Sequence, residues 1–421
     1  MASSKKVAVA ASSKLESLQD LQDVEQASNT RRRIFYTLLI TVTGMVVAVF
    51  LLSGTSLSNL REQSASTTTS MTSSVSNMNM ISKSARTSSK ATTTATTTER
   101  VYYASLKGSE KKSLFDDFIS KYGKSYADDT EKDTRYANFK KFLELIDERN
   151  DNEAKARNTA VHGVTQFADL SEEEISKYLL GYKKPSTEGR RQLNFKASKA
   201  KVDKYKGTAT AVDWSSTYAT SVSDQGYCGS CWAYSTAEQM ESDAIRAGYL
   251  TTDDKLSVQQ MVSCDTVDLG CLGGNTETAY EYVNGAGGLM LEADYPYTSY
   301  FDVSGKCSVS SSKYVLTVDK YYTVDNEDDM IDYVLSNGPL SICAAASSWT
   351  SYQSGIVSSC DNEVDHCIQI TGVDTDDNYW IIRNSWGKSW GNDGYIYIKT
   401  GEDMCAISND PTYTKVSLVS R

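Results

Sequence analysis

Residues 34–52 form a run of 19 residues without a charged side chain. As a helix rising about 1.5 Å per residue, such a run reaches about 28 Å, close to the thickness of a bilayer core. Arg31, Arg32 and Arg33 stand immediately before it, and Lys5, Lys6 and Lys14 lie further upstream. The positive-inside rule then leaves residues 1–33 in the cytosol and places everything after Leu52 in a lumen or outside the cell. The alternative is a cleaved signal peptide, whose apolar core is usually about 7–15 residues and ends in a small-residue site. Leu52-Ser53-Gly54 is a weak site, so an uncleaved signal anchor is expected. Over residues 53–98, 25 of 46 positions are Ser or Thr. That segment has too little apolar area to order itself, which predicts a flexible stalk.

Helical periodicity begins beyond the stalk. Over 112–126, Leu114, Phe115, Phe118, Ile119 and Tyr122 recur at helical spacing. A second helix is expected after Asp128-Asp129-Thr130, with Glu131, Arg135, Phe139, Phe142, Ile146 and Asn150 sharing one face. Residues 232–247 lack Gly and Pro and align Ala233, Ala237, Met240 and Ala244 in a stripe of small side chains. This fits a central helix packed closely on both sides. Near the C-terminus, residues 394–399 alternate as a strand does.

Charge divides the chain. Residues 207–421 hold 10 basic and 30 acidic side chains, a net of −20, and the rest carries +9, giving −11 in total. So acidic a C-terminal half does not bind nucleic acid by neutralising phosphates. Within the first half, residues 99–206 hold 23 basic and 19 acidic residues, a net of +4, suited to lie against the acidic half. There are two histidines, His162 and His366, and nine cysteines, an odd number that leaves at least one thiol unpaired.

Cys231 opens the stripe of small residues, in Gln225-Gly226-Tyr227-Cys228-Gly229-Ser230-Cys231-Trp232. At a helix N-terminus the positive end of the dipole favours thiolate. Three other readings of these cysteines compete. A redox Cys-x-x-Cys usually follows a Trp, whereas here Trp232 comes after the second Cys. Half of a zinc site lacks a second Cys-x-x-Cys, and both histidines are distant. The third is that all the cysteines are structural bridges. A thiol needs a base to be a good nucleophile at neutral pH, and His366 is the one imidazole in the acidic half. Asn384, in Arg383-Asn384-Ser385-Trp386-Gly387, offers an amide oxygen that can orient an imidazole.

Together these residues resemble the papain family. The spaced face of the second helix resembles the ERFNIN helix of cathepsin L-like inhibitory pro-segments, with Phe142 in place of an Asn. Gly163, Phe167 and Asp169 resemble the GNFD motif, with Thr165 in place of its Asn. The Cys-Gly-Ser-Cys-Trp run, the Val364-Asp365-His366-Cys367 segment and the Asn-Ser-Trp-Gly run resemble the catalytic elements. The resemblance implies an α+β, papain-like fold of two lobes, one helical and one β-barrel-like, behind a helical pro-domain. The implied boundaries are a tail at 1–33, an anchor at 34–52, a stalk at 53–98, an inhibitory pro-domain at 99–206 and a catalytic domain at 207–421.

It also implies roles. Cys231 is the nucleophile, His366 the base, Asn384 its orienter and Gln225 the oxyanion donor, with Trp386 shielding the imidazole. Gly273 and Gly274 line the cleft beside Asp365. Asn275, Thr276, Cys343, Val364 and Cys367 wall the second substrate subsite, and Asp410 is its floor. An alternative leaves Asp410 facing solvent beside Pro411. The carried-over disulfides are Cys228–Cys271, Cys264–Cys307 and Cys360–Cys405. That leaves Cys343 and Cys367 as two buried thiols beside Cys231, or else as a fourth bridge; free thiols are expected. The implied partners are peptide and protein substrates, the chain's own pro-domain and cystatin-like inhibitors, with the membrane held through 34–52. No metal and no cofactor is implied. The expected protein is a cysteine endopeptidase made as a zymogen, opened by acid and cut between 189 and 210, Arg190-Arg191 being one candidate. Its compartment is then a lysosome, vacuole or other acidic vesicle, or the cell exterior after processing. Competing expectations are a catalytically silent binding protein on the same fold and a redox protein using Cys228 and Cys231.

Overall fold

The computed structural model describes residues 102–184, 195 and 197–420. The tail, the anchor at 34–52, the stalk and Arg190-Arg191 lie outside the described residues. Among those described, no helix is long and apolar enough to cross a membrane.

Two helices lead. Helix α1 (Gly108–Tyr122) starts four residues before the expected position, because the Glu110 carboxylate accepts from the Lys107 N–H at 2.7 Å and closes the first turn. It stops at Tyr122 because Gly123 takes a left-handed φ of 60°. Helix α2 (Asp129–Lys155) is capped by Asp128, whose side chain accepts from the Glu131 N–H. Phe139, Phe142 and Ile146 on its inner face are buried against Phe115 and Phe118 of α1. Arg135 on the same face makes two hydrogen bonds to the Glu174 carboxylate rather than serving chiefly its neighbour Glu131, 3.7 Å away. This ties α2 to a short helix α3 (Glu172–Tyr178).

Between α2 and α3 the short strand β1 (Val161–His162) pairs antiparallel with β6 (Tyr352–Ser354) of the C-terminal region. Phe167, Leu170, Ile175, Leu179 and Leu180 then join the apolar core of that region instead of forming one of their own. Strand β2 (Ser198–Lys199), within the segment expected to end the pro-domain, also adds to the C-terminal sheet, parallel to β4 (Leu316–Thr323).

The C-terminal region has two cores. One gathers around helix α4 (Cys231–Arg246), α5 (Val258–Cys264) and α6 (Thr276–Ala286). The other surrounds α7 (Glu327–Ser336), β5 (Leu340–Ala344), β8 (His366–Asp374), β9 (Tyr379–Arg383) and β10 (Tyr395–Lys399). With β3 (Ala211–Asp213), β7 (Ile356–Val357) and β11 (Asn409–Leu418), these strands build a nine-stranded sheet. Its order is β2-β4-β11-β5-β8-β9-β10-β7, with β3 on β8. Helix α4 is buried from Cys231 to Ala244. Its small residues permit close approach: the Ser235 hydroxyl donates to the Ile368 carbonyl of β8 at 2.7 Å.

Four disulfides are present. Cys228–Cys271, Cys264–Cys307 and Cys360–Cys405 are those implied by the resemblance. The expectation of free thiols at Cys343 and Cys367 is corrected: the two are bridged. They sit directly opposite each other in the antiparallel β5–β8 pair, with Cα atoms 4.0 Å apart. Cys231 is the free cysteine.

Candidate active site

Strand pairing and helix packing bring the predicted residues together. His366 is the first residue of β8 and Asn384 follows the last of β9, two strands paired with Gln369 opposite Arg383. Cys231 opens α4, which packs on β8. The buried Arg383 guanidinium fastens β9 to this assembly through the Gln369 side chain and Thr220, with Glu238 of α4 at 3.5 Å.

The proton on His366 is set by the backbone. The Ser385 N–H can only donate, and it donates to Asn384 Oδ1 at 2.7 Å. That atom is therefore oxygen, and His366 Nε2, 2.8 Å from it, must be the protonated nitrogen. In the neutral ring Nδ1 then carries the free lone pair. The Trp386 ring covers the imidazole, with centroids 4.9 Å apart, and Phe167 packs edge-on over Trp386 at 5.3 Å. Gln225 Nε2 faces three carbonyls, those of Tyr178, Leu179 and Cys228, at 2.9–3.2 Å. Its Oε1 accepts from the Ser385 hydroxyl.

The segment after α3 lies over these groups. The Gly181 N–H donates to Cys231 Sγ at 3.3 Å. A Cβ at Gly181 would fall 2.0 Å from the Gly229 carbonyl oxygen, so no other residue allows this approach. The chain continues as a parallel bridge with Gly274: the Gly274 N–H donates to Gly181 O at 2.9 Å and the Lys183 N–H to Gly274 O at 2.8 Å. On the other side the Tyr182 N–H donates to the Asp365 carbonyl at 2.9 Å. Gly273 belongs to the same wall, its carbonyl accepting from the Leu269 N–H.

Tyr182 fills the expected second subsite. Its ring packs with Val364 on Cys231, Cys343 and Cys367. Its hydroxyl donates to Asp410 Oδ2 at 2.9 Å. Asp410 breaks the β11 ladder with a φ of 50°, beside the irregularity between Asn409 and Thr412, and its carboxylate meets the pocket rather than only solvent. Asn275 Nδ2 is 3.5 Å from the same carboxylate oxygen, and its Oδ1 caps α6 by accepting from the Glu277 N–H. Thr276 is buried at the start of that helix.

Comparison with known proteins bears on the same residues. The family described as papain family cysteine protease matches residues 208–415, and the cathepsin propeptide inhibitor domain (I29) matches 115–175. The viral cathepsin of Adoxophyes honmai nucleopolyhedrovirus is 36% identical over 307 residues, 70% of this chain and 88% of that protein. Cysteine proteinase B of Leishmania mexicana is 36% identical, over 73% of this chain and 70% of its own length. The chain belongs to the papain family of cysteine proteases. Among solved structures, the digestive procathepsin L2 proteinase of Tenebrio molitor larval midgut matches with a TM-score of 0.64 at 27% identity, covering 72% of this chain and 99% of that one. The stem bromelain precursor matches with a TM-score of 0.60 at 26% identity, covering 73% and 99%.

In this papain-family zymogen the closed cleft reverses an expectation. The helix terminus alone favours a thiolate, but burial under the pro-segment pushes the Cys231 thiol up to about 11. Burial likewise pushes His366 down to about 4, against the hydrogen bond to Asn384. Both groups are therefore neutral at pH 7 while the pro-segment is in place. Sequence reasoning missed Gly181 and Tyr182, the residues that touch the sulfur and fill the pocket. A lone Gly and a Tyr in an aperiodic segment carry no signal of their own.

Proposed function

We propose that the chain is a cysteine endopeptidase made as a zymogen, with Cys231, His366, Asn384 and Gln225 as its catalytic group. After the pro-segment leaves, the Cys231 proton passes to His366 Nδ1 and the thiolate attacks the scissile carbonyl carbon. Gln225 Nε2 and the Cys231 backbone N–H hold the developing oxyanion. His366 returns the proton to the leaving amine as the C–N bond breaks, and a thioester remains. Water, deprotonated by His366, then hydrolyses the thioester and releases the acid and the thiol.

The observation that carries this reading is the pro-segment strand over Cys231. The Gly181 N–H donates to the sulfur at 3.3 Å, and the segment is held across the cleft by backbone hydrogen bonds to Gly274 and Asp365, so it occupies the place a substrate backbone would take. The Tyr178 and Leu179 carbonyls meanwhile occupy the amide meant for the oxyanion. The same strand supports backbone recognition of substrate by Gly273, Gly274 and Asp365. The test is labelling by an epoxysuccinyl thiol probe after acid treatment, alongside a peptide hydrolysis assay. Mass added at Cys231 with loss of hydrolysis is expected. A folded, processed protein that neither labels nor cleaves would be a binding module instead.

The pocket built by Asn275, Thr276, Val364 and the Cys343–Cys367 bridge, with Asp410 at its floor, suits a long side chain ending in a donor. We expect it to accept Arg as well as Leu. Asp410→Ala should lower kcat/KM for Arg substrates at least ~10-fold, about 1.4 kcal/mol, and leave Leu substrates nearly unchanged. An equal loss on both would remove Asp410 from the pocket. The anchor at 34–52, the stalk, a luminal catalytic domain at 207–421, maturation in an acidic compartment and inhibition by cystatin-like proteins complete the proposal. They rest on the apolar run, the flanking arginines and the family.

A further inference from the structure

Acid opening needs a group that titrates between neutral and vesicular pH. Opposite net charge does not supply one. Among the described residues, two ion pairs join residues 99–206 to the C-terminal region, Lys177–Asp302 and Lys199–Asp325, each at 2.6 Å. Their lysines are 47% and 71% exposed, and pairs of that kind contribute little.

The pro-segment instead has a buried histidine at its own docking strand. His162 is 6% exposed, with its ring edge-on to Tyr352. Asn150 grips its backbone on both sides, accepting from the His162 N–H and donating to its carbonyl, each at 2.9 Å. The ring's Nδ1 lies 3.0 Å from the Ser351 hydroxyl. Arg149, from the same helix as Asn150, donates to that hydroxyl oxygen at 2.7 Å, to Thr350 Oγ1 and to the Ser347 carbonyl. With a guanidinium N–H on one lone pair of Ser351 Oγ, the hydroxyl proton is free to point at Nδ1 of a neutral ring. A protonated ring would put two donors, Nδ1–H and the Arg149 N–H, on the same hydroxyl oxygen and leave a second cation buried beside Arg149.

We infer that His162 is the acid-sensitive latch of the zymogen: its protonation ejects strand β1 from β6 and starts pro-segment release. This rests on the zymogen reading above and names its regulation. Burial, then Arg149, pushes the bound His162 down to about 3 from its ordinary 6.5. Because the bound value is the lower one, the latch holds fully above about 6.5 and weakens as pH falls toward about 3. Each pH unit below the unbound value costs up to about tenfold in closure, so the loss at pH 4.5 approaches ~100-fold. The other charged groups lining this interface are Glu148, Glu153 and Asp361. Burial raises Glu153, which accepts from Ser358, so its protonation opposes release. Asp361 and Glu148 act on Arg149.

The test uses the full-length zymogen carrying Cys231→Ser, so that it cannot cut itself, with and without His162→Gln, which keeps a polar side chain but cannot titrate. Amide exchange at residues 161–163 is followed from pH 7.5 to pH 4.5, referred to residues of the α4 core. Protection in the parent should fall by ~100-fold beyond the intrinsic pH effect, and in the glutamine variant by less than ~10-fold. Arg149→Gln should flatten the slope in part, whatever it does to protection at pH 7.5. Equal slopes in all three would overturn the latch. Probe labelling of the native Cys231 chain after acid is scored separately. Labelling with equal slopes removes only His162, whereas absence of labelling removes the protease reading.

Discussion

Cys231→Ser and His366→Ala should each lower kcat/KM for a peptide substrate by at least ~10⁴-fold, about 5.5 kcal/mol of transition-state stabilisation. The acyl-enzyme route needs a sulfur that can attack and a base that can take and return its proton. His366 Nε2 is committed to Asn384 Oδ1, whose identity as oxygen is fixed by the Ser385 N–H, so on the proposed route Nδ1 is the nitrogen left to take the proton. Neither variant should unfold. Ser is smaller than Cys by little, and the lobes are held by buried side chains and four disulfides that involve neither residue. The double variant should be about as slow as either single one, because both act in one step. Near-normal turnover by a purified, pro-segment-free variant would sink the assignment.

The second large effect is on the thiol itself. With Cys231 pushed up to about 11 in the closed zymogen, about 10⁻⁴ of it is thiolate at pH 7. Iodoacetamide should therefore modify Cys231 in the zymogen at least ~1000-fold more slowly than in enzyme freed of its pro-segment. Removing the cover takes away the burial that raises Cys231 and lowers His366, so proton transfer between them becomes favourable. Without reduction, the opened enzyme should take up one alkyl group per chain, since Cys231 is the free cysteine. Three groups would mean that Cys343 and Cys367 are not bridged. Equal rates before and after opening would mean that the pro-segment does not govern the thiol.

Much of this site could be read along the chain because its chemistry is local. Cys231 with its flanking glycines and serine, the Asn-Ser-Trp-Gly run and a lone imidazole in the acidic half each identify themselves by residue type and spacing. The face of α2 was equally legible, since helical periodicity is a property of covalent geometry. Arg135 shows where that ends. Spacing alone pairs it with Glu131, yet it reaches Glu174, 39 residues away, because α3 folds back across α2.

The rest depended on register and burial, which sequence spacing does not encode. Cys343 and Cys367 are bridged because the β5–β8 register sets them face to face, and a one-residue slip would have turned them apart. Asp410 meets Tyr182 because β11 is irregular at that point. Cys231 is protonated in the zymogen, although its helix terminus favours the thiolate, because desolvation under a separate segment outweighs the dipole. The chain's composition and motifs thus name the groups proposed to react. Whether those groups are charged, bridged or covered is a property of what folding packs against them.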